Sequence, residues 1–163
     1  MNDIKLLFPN LYFSYSQFMV YDQSVALPGC DWSEKHSAQG FARCESTVNF
    51  NTILDFGHAE VTIIVGPFQS NGEYERVIGV PFLVTSGTII VDGPEEMEVE
   101  RTFSLPSSNY WLVAAQRVLG EDQEKIDLFF EQVNKPVKCS RIIVADNLLN
   151  PQLPLLETAE VAG

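Results

Sequence analysis

An all-β fold, an antiparallel β-sandwich of Greek-key-like organisation with one short inserted helix, is predicted by three features of the sequence. Apolar and polar residues alternate with period two in several short stretches, most cleanly from Met97 to Leu105. Turn residues punctuate the chain about every ten positions, at Asn71-Gly72, Ser86-Gly87, Pro106-Ser107-Ser108-Asn109 and Gly120-Glu121-Asp122. A helix start and a helix stop occur together at one place, between Asp31 and Gly40.

The elements follow in order. Residues 11–21 read as a strand, with Leu11, Phe13, Tyr15 and Met19 on one face and Ser14 and Ser16 on the other. Pro28-Gly29 opens a loop. Asp31 then serves as an N-cap with Glu34 at the capping-box position, and Gly40 ends a helix of about two turns. Thr47 to Phe50 forms a short strand. Glu60 to Phe68 is apolar on both faces through Val61, Ile63, Ile64 and Val65, which suits an inner strand. Asn71-Gly72 signals a hairpin into Glu73 to Val84, where Pro81 belongs on an edge or at a bulge. Ser86-Gly87 turns into Thr88 to Val91. Met97, Val99, Phe103 and Leu105 then point one way, and Glu98, Glu100, Thr102 and Ser104 the other. Tyr110 to Leu119, Ile126 to Val133 and Val137 to Ala145 complete the strands. The absence of βαβ alternation disfavours a parallel sheet.

Residues 1–145 therefore form a single sandwich domain, and residues 146–163 a C-terminal extension. Pro151 and Pro154 oppose a helix there. The pairs Leu148-Leu149 and Leu155-Leu156 are set to pack on the domain or on a neighbour, and the last residues to form a loose tail.

Charge narrows the function. Ten Lys and Arg stand against 22 Asp and Glu, a net charge of -12, and the basic residues form no cluster. Such a surface repels nucleic acid and anionic membrane, and suits a basic partner. The three cysteines, Cys30, Cys44 and Cys139, are too few and too scattered for a disulfide framework. With neither a signal-peptide pattern nor a bilayer-length apolar run, the expected compartment is the cytoplasm.

Several blocks recur together in a known order. They are Leu11 to Phe18 with Ser14-Tyr15-x-Gln17-Phe18, Asp31-Trp32 with Gly40-Phe41-Ala42, Tyr74-Glu75 before Val80-Pro81-Phe82-x-Val84, and Phe103-Ser104-Leu105-Pro106 with Tyr110. In order and spacing, through about Val133, the chain resembles the competence protein J family of DNA-entry nuclease inhibitors. The resemblance implies a protein that binds and blocks a metal-dependent, sequence-non-specific endonuclease used in DNA uptake, with no catalytic residue of its own. Residues 134–163 and the acidic stretch 92–100 carry no part of the resemblance.

The residues themselves nominate sites. Between Asp92 and Glu131 ten acids face three bases, a net of -7, so more than half the excess charge lies there. Glu95, Glu96, Glu98 and Glu100 are the candidate partner contacts. Glu98 and Glu100 share a strand face about 7 Å apart, close to the spacing of phosphates along a nucleic acid strand. The bland alternative is a solvated edge whose charges block strand pairing. Asp31, Trp32, Gly40, Phe41, Pro81 and Phe82 read as scaffold, although Trp32 also has the bulk of an interface anchor. Cys30, His36 and Cys44 bracket the helix without a standard zinc spacing, so no metal is expected. His58 with Asp55 or Glu60 lacks a nucleophile elbow. Asp92-Gly93-Pro94-Glu95-Glu96 is dense in oxygens but stiffened by Pro94, which disfavours calcium. The expectation is a binding protein and not an enzyme, without cofactor and with a dimer among the open oligomeric states. A generic protein- or ligand-binding sandwich with no nuclease partner is the alternative.

Overall fold

A computed structural model of the chain describes residues 3–94 and 101–162. Eleven strands and one helix form two facing sheets among the described residues. The six-stranded sheet runs β1 (Asp3–Phe13), β5 (Gly57–Val65), β10 (Gln123–Val133), β9 (Ser108–Gly120), β6 (Arg76–Val84) and β11 (Arg141–Val144). The five-stranded sheet runs β3 (Phe41–Cys44), β4 (Thr47–Asn51), β2 (Gln17–Asp22), β7 (Thr88–Asp92) and β8 (Thr102–Ser104). Helix α1 (Glu34–Gln39) sits between β2 and β3 in the chain. The all-β sandwich with one short helix is therefore the fold.

Alternation sends every second residue into the space between the sheets. Leu11, Phe13, Val61, Ile63, Ile78, Val80, Leu112 and Leu128 from one sheet share a core with Phe18, Val20, Phe41, Val48, Phe50, Ile89 and Val91 from the other. Phe130 lies at its centre, edge-on to Phe82, Phe103 and Tyr110 at ring separations of 6.2, 5.4 and 6.2 Å. A second apolar cluster of Val77, Val113, Ala115 and Phe129 covers the outer face of the large sheet under Phe68, Tyr74 and Trp111. This second cluster explains why β5 is apolar on both faces.

Gly79 makes room for Trp111 on that outer face, since a Cβ there would lie 2.2 Å from the indole ring. Pro81 lies on a strand with partners on both sides, but β11 pairs only with Val77, Ile78 and Gly79. Leu83, two residues on, sends its N–H away from β9 to the Glu45 carbonyl. Pro81 has the same parity, so its missing N–H falls on the side β11 leaves empty.

The structure departs from sequence expectation in several places. Residues 11–21 are two strands in different sheets, broken at Tyr15-Ser16, and the first of them begins at Asp3. Ser33 caps α1 in place of Asp31, and the His36 ring replaces Glu34 in the capping box. Gly40 ends the helix as expected, in the left-handed region at φ 88°. Asn71-Gly72 and Ser86-Gly87 do not close hairpins, because β5 and β6 are not neighbours and β6 and β7 lie in different sheets. β10 pairs with β5 in parallel, which the lack of βαβ units had argued against. The expected strand 97–105 is seen as Thr102–Ser104, its earlier half lying outside the described residues, and the last strand shortens to Arg141–Val144.

The C-terminal extension is tied to its own domain and is not loose. Leu149 packs beside Gly40 and Ile78 in the core. Gln39 donates to the Leu156 carbonyl and accepts from the Leu156 N–H at 3.0 and 2.8 Å. Asp31 donates its N–H to the Glu160 carbonyl, and Ala162 donates to Gly29.

Candidate functional site

The chain passes from β1 to β2, and so from one sheet to the other, through Ser14-Tyr15-Ser16-Gln17. Tyr15 and Ser16 hold φ values of 54° and 56°. Positive φ at both central positions is the signature of a type I′ turn, normally filled by Asn-Gly. Holding two ordinary L-residues there costs on the order of 1 kcal/mol each. The surroundings over-determine the turn. Ser16 donates its N–H to the Asp55 carbonyl at 2.8 Å and its hydroxyl to Asp55 Oδ1 at 2.9 Å. The Ser16 carbonyl accepts from Thr52 N at 2.8 Å and from Asn51 Nδ2 at 3.0 Å. Gln17 N closes the turn on the Ser14 carbonyl at 3.2 Å.

The consequence is a fixed backbone from which the Tyr15 side chain stands 73% exposed. Clefts of about 350 and 590 Å³ lie on either side of it. The first is shared with Leu148, which is 66% exposed, and the second with Tyr12 and Phe56, the latter 63% exposed. Tyr15, Phe56 and Leu148 are thus three large side chains exposed at one end of the sandwich. Asp55 borders both clefts. The β9–β10 hairpin tip, Glu121-Asp122, sits alongside, because the Asp122 carbonyl accepts the His58 N–H at 2.9 Å.

Below the patch is a buried charged network. Arg76, 1% exposed, holds both oxygens of Asp146 at 3.0 Å and donates to the carbonyls of Asn51 and Thr52 at 3.1 and 3.3 Å. Glu124 accepts the N–H groups of Ile53 and Leu54 at 3.2 and 3.1 Å. Burial pushes its carboxyl up to about 7, against the pull of those donors and of Arg76. This network fixes residues 51–55, on which the Tyr15 turn leans.

The sequence-predicted sites fall as follows. Glu95, Glu96, Glu98 and Glu100 lie outside the described residues. The positions flanking them sit near this same end. A Cβ at Gly93 would meet the Tyr12 carbonyl at 2.1 Å, and Arg101 donates to the Asn10 carbonyl at 3.0 Å. Phe41 and Phe82 are core residues, Gly40 packs under Leu149, and Trp32 is half-buried edge-on to His36 with ring centroids 6.4 Å apart. Asp31 is exposed. His36 uses Nδ1 on Ser33 and Nε2 on the Thr158 carbonyl, while Cys44 Sγ donates to Ala159 at 3.3 Å. Among the described residues no three His, Cys, Asp or Glu gather as metal ligands. Asp55 is taken by Ser16, Glu60 by Lys125, and the His58 ring lies against Tyr12 at 5.5 Å, so no base-and-orienter pair forms among them. Asp92 accepts the Tyr21 hydroxyl at 2.6 Å. The Tyr15 turn was missed by sequence reading because it carries neither Gly nor Asn at its left-handed positions, and Phe56 because nothing in Asp55-Phe56-Gly57-His58 marks its exposure. The available signal was Tyr15 placed inward by alternation beside two serines.

Comparison with known proteins covers most of this architecture. Residues 10–140 match the family model described as competence protein J. A DNA-entry nuclease inhibitor of Bacillus subtilis (strain 168) is 26% identical over 107 residues, spanning 63% of this chain and 79% of that protein. The crystal structure of ComJ from Bacillus subtilis, described as an inhibitor of the DNA-degrading activity of NucA, superposes with a TM-score of 0.70 at 21% identity. That match covers 82% of this chain and 99% of the other.

Proposed function

This chain belongs to the competence protein J family, and from that membership we propose that it binds and blocks a sequence-non-specific endonuclease of the DNA-entry type. The observation that carries the reading is the family match over residues 10–140, which takes in the five-stranded sheet and β5, β6, β9 and β10 of the other. The nuclease is metal-dependent and acts in DNA uptake during competence, and the inhibitor works in the cytoplasm. It contributes no catalytic group and takes no cofactor.

The mechanism follows from charge. A nuclease that cleaves any sequence must hold DNA through its phosphates, hence through a basic cleft. A rigid sandwich with a net charge of -12 is drawn to that cleft and occludes it. Glu95, Glu96, Glu98 and Glu100 are the proposed contacts with the cleft, following the density of carboxylates between Asp92 and Glu131. The test is a DNA-degradation assay with a nuclease of this type and increasing amounts of the protein. Inhibition saturating near a simple molar ratio supports the reading. Undiminished degradation by a folded sample at excess defeats it. Reversal of Glu98 and Glu100 to Lys is expected to weaken inhibition sharply without unfolding the protein. Unchanged inhibition removes those residues from the contact.

A further inference from the structure

We propose that Tyr15 and Phe56 are the aromatic anchors by which this chain docks on the positively charged DNA-binding surface of its nuclease. This rests on the inhibitor reading above and assigns the docking face within it.

An anchor loses least on binding when its position is already fixed. Five hydrogen bonds, from or to Ser14, Ser16, Gln17, Asn51, Thr52 and Asp55, fix the Tyr15 turn in a conformation that its own residues disfavour. A chain that only had to reverse direction would be served by Asn-Gly. What the strain achieves is the outward presentation of Tyr15, flanked by Phe56 and Leu148, with concave ground on both sides to receive a partner's side chains.

Charge identifies the partner. Asp55 lies between the two clefts, and the acidic tip Glu121-Asp122 is hydrogen-bonded to the strand that follows Phe56. Arg76 and Arg101 approach this end but are buried, so neither presents a cation to solvent. Exposed aromatic faces rimmed by carboxylates suit Lys and Arg, which can stack on the rings and pair with the acids in the same contact. A second copy of this acidic chain would bring like charge to the rim.

The test compares wild type with Tyr15→Asn, Phe56→Ser and the double variant. The readouts are inhibition of DNA degradation by a DNA-entry-type nuclease, affinity for that nuclease by calorimetry, and Tm. Asn adopts positive φ more readily than Tyr, so Tyr15→Asn keeps or raises Tm while it weakens binding. About tenfold is expected for each single variant and about a hundredfold for the double. If wild type inhibits and the folded double variant inhibits within twofold of it, this docking face is wrong and the inhibitor reading survives. If wild type itself neither binds nor inhibits, both fall. A wild-type dimer that the double variant dissociates, with inhibition unchanged, makes the patch a self-association surface and overturns the proposal.

Discussion

Replacing Arg76 with Met keeps most of the side-chain volume and removes the whole donor set. Asp146 then loses a partner that holds both its oxygens, and the carbonyls of Asn51 and Thr52 lose their contacts with the guanidinium. Glu124 also loses a neighbouring positive charge. The pair is buried, with side-chain exposures of 2% and 12%, so little water can take over. Removing one partner of such a pair costs about 3–5 kcal/mol. At roughly 2–4 °C per kcal/mol for a chain of this size, Tm falls by on the order of 10 °C. The double variant Arg76→Met/Asp146→Leu is expected to recover about half of that loss, because the orphaned carboxylate is gone. Urea denaturation with an unchanged slope is the check. A single variant within about 1 kcal/mol of wild type would refute the view that this network holds residues 51–55 in place.

Three other outcomes follow from named contacts. Asp22 accepts N–H groups from Ser24, Thr85 and Ser86. Burial alone would raise its carboxyl, but those donors outweigh it and hold the group well below its ordinary 3.8. Its contribution is therefore present above about pH 4 and lost as pH falls. Asp22→Asn, which turns an amide toward those donors, costs roughly 1–3 kcal/mol at pH 7, read by thermal melts at pH 7 and pH 3, where the gap narrows. Glu124 has the opposite sign. With its carboxyl raised from 4.5 to about 7, its contribution is full below 4.5 and lost as pH rises through 7. Melts of Glu124→Gln and wild type should therefore shift in the variant's favour by roughly 3 kcal/mol between pH 4 and pH 8, at about 1.36 kcal/mol per unit. Gly79→Ala drives a methyl into the Trp111 ring and is expected to cost about 1–3 kcal/mol, with a change in Trp fluorescence reporting the displaced indole.

What was legible in the sequence is what depends on neighbours. Alternation located β9 and β10, and Gly120-Glu121-Asp122 gave the hairpin between them correctly, because a tight antiparallel turn is specified by the residues within it. The failures are long-range. Nothing local distinguishes Asn71-Gly72 as a hairpin from the same dipeptide on a connection between strands that are not neighbours. Ser33 displaced Asp31 as the cap because the His36 ring reaches back to its N–H, a contact that the Glu34 spacing pattern does not anticipate. The Tyr15 turn was unreadable because its positive φ values are imposed by Asp55, Asn51 and Thr52, about 35 to 40 residues away in the chain. The acidic excess was plain from composition alone, but the aromatic patch required knowing which side of the Ser14–Gln17 turn faces water.

The parallel pairing of β5 with β10 bears on how the molecule assembles. Residues 58–65 find one of their two strand partners only at residues 123–130, after β6, β7, β8 and β9 have been synthesised. Until then β5 can pair only with β1, leaving its other edge and its two apolar faces open. Pairing across such a separation must close a long loop before it gains anything, which slows folding and exposes a sticky strand in the meantime. The sheet is thus not divisible into hairpins that could fold one at a time. A chain cut between β6 and β9 separates β5 from β10, so the large sheet closes only once the later strands are in place.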